Sequence, residues 1–215
     1  MKITKQNVEL VDVMGSDLSV VNAARVSFAK QHDKFDTEKD TKLINYLAKH
    51  KHWSPFAHAF LSFRIKAPIF VARQLVKHQV GLSWNEVSRR YVDDEPEFFF
   101  PEVWRGRPTG NIKQGSDGEW HDTEIGAVYE QLEDLVTTYN SMIKRGCAPE
   151  MARMILPQNT MTEWIWSGSL AAFARVCKLR LDSHAQQETS EIAEMIGNLT
   201  AEYYPVSFQA LLEHS

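Results

Sequence analysis

Hydrophobic positions alternate most clearly from Ala59 to Ala67, where Leu61, Phe63 and Ile65 fall on one side and Ser62, Arg64 and Lys66 on the other. A period of two over that length predicts a half-exposed strand. Pro68 follows at a position suited to the first turn of a helix, and the pattern then predicts a helix over Ile69–His78. Residues 7–13 predict an opening strand broken at Gly15, and Ser16-Asp17 offers a cap for a helix to about Phe28. A second helix is expected over Asp40–Ala48, with Leu43, Ile44 and Leu47 on one face. The strongest helical period runs through Ile125, Val128, Leu132, Leu135, Tyr139 and Met142. A short helix at Pro149–Ile155, an extended run Met161–Trp166 and a helix from about Ser169 come next. Ile192, Met195, Ile196 and Leu199 mark one more helix near the C-terminus.

Between these elements, Asp93–Asp122 has no sustained period and holds Pro96, Pro101, Pro108 and four glycines. It reads as a long loop or insertion, of the kind that is functional or mobile in compact domains. No repeat, low-complexity tract or interdomain linker interrupts the chain. The expectation is an α+β fold, a single mixed helix-and-sheet domain over residues 1–215.

Composition narrows the function classes. The chain is 43% hydrophobic and 24% charged, which suits a globular protein with a real core. A formal charge of −4 gives no general field for nucleic acid or an anionic membrane. No apolar stretch approaches membrane-spanning length, and Met1–Asn7 lacks the apolar core of a secretory signal, so a soluble, cytoplasmic protein is expected. Cys147 and Cys177 are too few for a disulfide scaffold or a thiolate zinc site. Each could be a nucleophile, although Cys177 lies in an apolar helical run where inert thiols are common.

Candidate chemistry concentrates in two clusters. From Arg73 to Tyr91 four basic residues (Arg73, Lys77, Arg89, Arg90) face one acid, Glu86, a local +3 inside an acidic protein. A confined positive site suits a small anion such as a nucleotide phosphate, for which arginine is the preferred bidentate donor. In a helix through His78, Arg73 would share a face with Lys77 and Gln74 with His78. A solvated cationic face is the plainer reading, but Asn85, Glu86 and Ser88 are interleaved with the arginines. The second cluster is Arg175, Lys178, Arg180, Asp182, His184, Gln186 and Glu188, in which Arg180, His184 and Glu188 recur every four residues. They form either a polar wall of a site or an ordinary ladder of helix-surface pairs. Arg153 stands alone in an apolar setting, either paired with an acid or binding an anion. His50, His52 and His58 invite a zinc reading, but no carboxylate cluster accompanies them and no metal is expected. Neither Gly-x-Gly-x-x-Gly nor a Gly-Lys-Ser/Thr phosphate loop occurs.

The run Asn85-Glu86-Val87-Ser88-Arg89-Arg90-Tyr91, preceded by Lys77-His78-Gln79, resembles the signature of the flavin-dependent thymidylate synthases, Arg-His-Arg followed some seven residues later by Ser. Further blocks agree in order: Ala24–Phe28, His52–Phe56, Ala67–Gln74, Arg153 with Leu156-Pro157, and Leu179-Arg180 with Asp182–Gln186. The matches span about residues 24 to 188. The resemblance implies reductive methylation of dUMP to dTMP. Methylenetetrahydrofolate is the carbon donor, and FAD reduced by NADPH is the hydride source. It also implies a homotetramer with active sites between subunits, and a fold unlike the dinucleotide-binding doubly wound sheet. No cysteine nucleophile is needed.

By position, the resemblance places Gln74, Lys77, Glu86, Ser88, Arg89, Arg90, Arg153 and Arg180 at dUMP. Ser88, Arg90 and Arg153 would serve the phosphate, and Arg180 the uracil ring, where a permanent cation favours ionisation at N3. It places His52, Ser54, Lys77, His78, Gln79, Asn85, Glu86, Ser169, Arg175 and His184 at the flavin, with Ser27 as a further candidate. His52 and Trp53 also suit the folate ring. This chain departs from the pattern at Lys77 and Gln79, which replace arginines, and eight residues rather than seven separate Gln79 from Ser88. Ser169 and Arg175 stand where asparagines are usual and Ala171 where an arginine is. These departures leave open a nucleotide- or flavin-binding protein without turnover. A metal-dependent hydrolase built on the three histidines and a nucleic-acid module around Arg89-Arg90-Tyr91 are the remaining readings.

Overall fold

Leu61, Phe63 and Ile65 are fully or almost fully buried in strand β3 (Phe60–Pro68), as the alternation predicts. In the computed structural model, which describes residues 1–109 and 115–214, this strand lies in a four-stranded sheet. The sheet order is β2 (Asn7–Met14), β3, β8 (Met161–Ser169) and β4 (Leu82–Glu86). Contacts divide the chain into two compact units.

The unit of Val8–Ile65, Val76–Asn85 and Ile165–Ser215 holds most of that sheet together with five helices. They are α1 (Asp17–Arg25), α2 (Thr37–Lys49), α6 (Leu170–Arg180), α7 (Gln187–Tyr203) and α8 (Pro205–His214). Phe173 of α6 meets Phe63 and Trp166 of the sheet edge to face, with ring centroids 4.9 and 5.4 Å apart. Helix α6 also packs on α7 and α8, and α2 on α8. Ser62 and Ser167 share a hydrogen bond of 2.7 Å between β3 and β8. Helix α2 begins before the expected Asp40 because the Asp36 carboxylate accepts the backbone N–H groups of Glu38 and Lys39. Asp40 itself is buried and paired with Arg25 at 2.6 Å.

The other unit comprises Met1–Asn7, Lys66–Leu75 and Glu86–Trp164. Here β1 (Lys2–Ile3) pairs in parallel with β5 (Glu97–Phe98), Lys2 opposite Glu97. The long α4 (Glu124–Lys144) follows the predicted period and buries Leu132, Val136 and Tyr139. Phe98, Leu132 and Val136 form a small core joined by Phe100 and Leu156, and Phe100 stacks on Tyr129 at 4.0 Å. Helix α5 (Pro149–Ala152) passes into a 3-10 turn, Arg153–Ile155. Within the expected loop of residues 93–122, β5, β6 (Arg105–Gly106) and β7 (Asp117–Glu119) are strands, while residues 110–114 lie outside the described residues.

Two expected helical alignments do not form. Helix α3 (Ile69–Leu75) stops before Lys77, so neither Arg73 with Lys77 nor Gln74 with His78 is a pair on consecutive turns. Helix α6 likewise ends at Arg180, and Asp182–Ala185 is a turn, which breaks the line through His184 and Glu188.

Candidate active site

In the unit containing α3, the arginine-rich run leaves β4 and turns. Val87 N–H still pairs with Glu163 O of β8 at 2.9 Å, and Tyr91 N–H closes a turn on Ser88 O. Below this turn is a cavity of about 370 Å3 lined by Glu86, Arg89 and Arg153 together with Lys66, Thr162 and Glu163. Arg89 is held in place by an Nη1 bond to Asp94 O at 2.9 Å, and Thr162 Oγ1 donates to Glu86 at 2.7 Å. Ser88 Oγ accepts from Arg90 Nε at 3.1 Å, and the Arg90 guanidinium lies 5.0 Å above the exposed Tyr91 ring. Arg153 is exposed on its 3-10 turn. Gln74 is half-buried near the end of α3 in the same unit. Thus Glu86, Arg89 and Arg153 share one cavity, and Ser88 and Arg90 form a bonded pair on the adjoining turn.

Glu97 also lines this cavity, next to Lys66. Burial alone would raise its carboxyl pKa, but bonds from Lys2 and Lys66 outweigh that and hold it down at about 2. Lys66, Thr162, Glu163 and Glu97 are lining residues that motif reading misses. Lys66 was visible as an outward position of β3, but nothing in the Pro-rich loop signals that Glu97 will pair with it.

In the unit built on the sheet, the flavin-side candidates gather at the turn after α3. Leu82 N–H bonds Gln79 O at 3.2 Å, and Gly81 sits at φ +76°, where a side chain would be strained. Gly168 of β8 lies so close that an added Cβ would strike Gly81 O and the Leu82 side chain. The turn is pinned from α6: Arg175 Nη2 donates to Val80 O at 2.6 Å, and Ser169 and Arg175 both flank Gly81. Ser169 also caps α6, accepting from Ala172 N–H at 3.3 Å. Arg180 Nε donates to His78 Nε2 at 2.9 Å. Lys77 and Gln79 are exposed on the same turn, and Asn85 is exposed on β4.

His184, Ser54 and His52 have other surroundings. His184 Nδ1 pairs with Asp182 at 2.8 Å, and the backbone and side chain of His184 hold the Asp182 carboxyl below its usual range. Ser54 opens a 3-10 turn, and the exposed His52 packs near Tyr46 and His50. Ser27 lies in the 3-10 turn after α1. Among the described residues no group of His, Cys, Asp and Glu is arranged to hold a metal, and no helix is long and apolar enough to cross a membrane.

Residues 9–206 match the family model described as thymidylate synthase complementing protein. The chain is 39% identical over 213 residues to the flavin-dependent thymidylate synthase of Thermus thermophilus, covering 99% of this chain and 77% of the relative. It is 36% identical over 214 residues to that of Thermosipho melanesiensis, covering 98% and 92%. The chain belongs to the flavin-dependent thymidylate synthase family. A crystal structure of a UMP/dUMP methylase, PolB, from Streptomyces cacaoi bound with 5-Br dUMP superposes with a TM-score of 0.88. That similarity holds at 30% identity over 99% of this chain and 97% of the other. The mixed helix-and-sheet fold expected for a flavin-dependent thymidylate synthase is therefore the one observed.

For a family that works with a flavin, the donors around Gly81 fit a phosphate-bearing group. Lys77 is exposed on that turn, and the Arg175 guanidinium reaches the same turn from α6. The indole N–H of the fully buried Trp166, whose ring lies 6.5 Å from that of His78, lacks a partner.

Proposed function

We propose that the chain methylates dUMP reductively to dTMP, taking its carbon from methylenetetrahydrofolate. The observation that carries this reading is the cavity shared by Glu86, Arg89 and Arg153, with Ser88 and Arg90 on the turn beside it. An arginine-and-serine set of this kind suits a dianionic phosphate, while Glu86 can accept from a sugar hydroxyl. Ser88, Arg90 and Arg153 bind the phosphate, and Gln74, Lys77, Glu86 and Arg89 complete the nucleotide contacts. Bound FAD, reduced by NADPH, supplies the hydride. His52, Ser54, Lys77, His78, Gln79, Asn85, Glu86, Ser169, Arg175 and His184 are its contacts in this reading.

Arg180 is the catalytic residue. Its guanidinium remains charged at any working pH, so it stabilises negative charge on the uracil ring and increases the electron density at C5 without moving a proton itself. Neither cysteine serves as nucleophile. Cys177 is fully buried, and burial pushes its thiol up to about 12, far from the thiolate that attack requires. The proposed assembly is a homotetramer with active sites between subunits, each chain acting as one catalytic domain.

The test is an absorption spectrum of the purified protein followed by anaerobic NADPH with and without dUMP. A flavin band that bleaches, with dTMP appearing once methylenetetrahydrofolate is added, supports the proposal. Bound flavin and nucleotide without any product would mean a binding protein instead. UMP belongs in the same assay, because PolB was also solved with 5-Br UMP, and that structure matches at a TM-score of 0.86 and 28% identity.

A further inference from the structure

Arg180 ends α6, and two bonds fix it at opposite ends. Its backbone O accepts from Ser190 Oγ at 2.6 Å, and its Nε donates to His78 Nε2 at 2.9 Å, across 102 residues of chain. A guanidinium has donors only, so His78 must offer a lone pair at Nε2. The ring is therefore neutral and carries its proton on Nδ1. What remains of the Arg180 side chain is the terminal pair of nitrogens, which has no partner among the described residues. A guanidinium tied by its Nε keeps its plane, and its free edge presents two parallel N–H donors in a set direction.

We propose that His78 is a positioning residue, whose neutral Nδ1–H form holds the Arg180 guanidinium by Nε and so aims its free edge at the pyrimidine. This rests on the reading of Arg180 given above and adds a partner to it. The surroundings of His78 favour the form that the bond requires. It is half-buried against Trp166, and burial, then Arg180, then Arg175 hold its pKa below that of an ordinary histidine. Both arginines come from α6, while Lys77, its chain neighbour, is exposed. Protonation would remove the acceptor and set a third cation against the two arginines, releasing Arg180.

The first arm of the test needs no turnover. Nitrogen-15 histidine spectra of the full-length protein should show His78 as the Nδ1–H tautomer, titrating below an ordinary histidine. Arg180→Gln should move that midpoint up. An Nε2–H tautomer, or a midpoint that Arg180→Gln leaves in place, overturns the proposal.

The second arm uses flavin-loaded enzyme. His78→Ala should lower kcat by about a hundredfold, the scale expected when a catalytic group is misdirected by an ångström. His78→Asn keeps a neutral acceptor, so it should recover part of that loss and should lack the acid limb of the wild-type pH profile. Equal kcat in His78→Ala and wild type, or an Asn variant no better than Ala, counts against the positioning role. If the wild type forms no dTMP at all, the proposed function fails, and the tautomer measurement still decides whether His78 holds Arg180.

Discussion

The Asp17 carboxylate accepts the backbone N–H groups of Ser207 at 2.8 Å and Val206 at 3.0 Å, capping α8 from the start of α1. It joins residues 190 apart in the chain and is almost entirely buried. Free N–H groups at a helix start are stabilised by such an acceptor, more so when it is charged. Asp17→Ala should therefore destabilise the protein by about 2 kcal/mol, as expected for loss of a buried cap. Urea denaturation checks this, and an unchanged midpoint would show that α8 finds its acceptor elsewhere.

Glu97 makes stability depend on acid. Its carboxyl titrates near 2 in the folded protein, below its usual value of 4.5, so the folded state binds the proton less readily than the unfolded chain does. The resulting stabilisation is complete above about 4.5 and declines as pH falls toward 2. Denaturation midpoints of the wild type should thus drop more between pH 5 and pH 3 than those of Glu97→Gln. At pH 7 that variant should itself be less stable by about 2 kcal/mol, since Lys2 and Lys66 both lose a charged acceptor.

Gly168 should tolerate no side chain. An added Cβ meets Gly81 O, a backbone atom that cannot give way without moving the whole turn. Gly168→Ala is expected to cost about 2 kcal/mol, in the range of overpacking penalties, and to weaken flavin binding by displacing Val80 and Gly81. Thermal denaturation and flavin titration read the two effects separately.

The cysteines give a test of the chemistry. Cys147→Ser and Cys177→Ala should each leave dTMP formation within about threefold of wild type, while Cys177→Ala loses about 1 kcal/mol of stability through a small core void. A thousandfold loss on replacing either thiol would mean covalent catalysis.

Much of this could be read from the sequence because local periods survive packing. The alternation through Leu61, Phe63 and Ile65, and the helical spacing from Ile125 to Met142, each reflect one buried face. Strand β4 escaped notice because Leu-Ser-Trp-Asn-Glu alternates weakly and is mostly exposed on one side. Helix α8 escaped because its cap, Asp17, is supplied from the opposite end of the chain. The early end of α3 broke two expected pairs and freed His78 to meet Arg180, a contact that no spacing rule reveals. Arg153 stood out in the sequence as an isolated cation and the family resemblance gave it a role, whereas Lys66, Glu97, Thr162 and Glu163 line its cavity through tertiary packing alone.

Methyl transfer to C5 of dUMP displaces the hydrogen carried there, so a label on that hydrogen reports the reaction. With dUMP tritiated at C5, flavin-loaded protein supplied with NADPH and methylenetetrahydrofolate should release tritium to water in step with dTMP formation. Both should fall by at least about a hundredfold in Arg180→Ala, as on removing a group that stabilises developing charge. Flavin-loaded protein that is reduced by NADPH and binds dUMP, yet releases no tritium, would mean that the chain does not methylate dUMP.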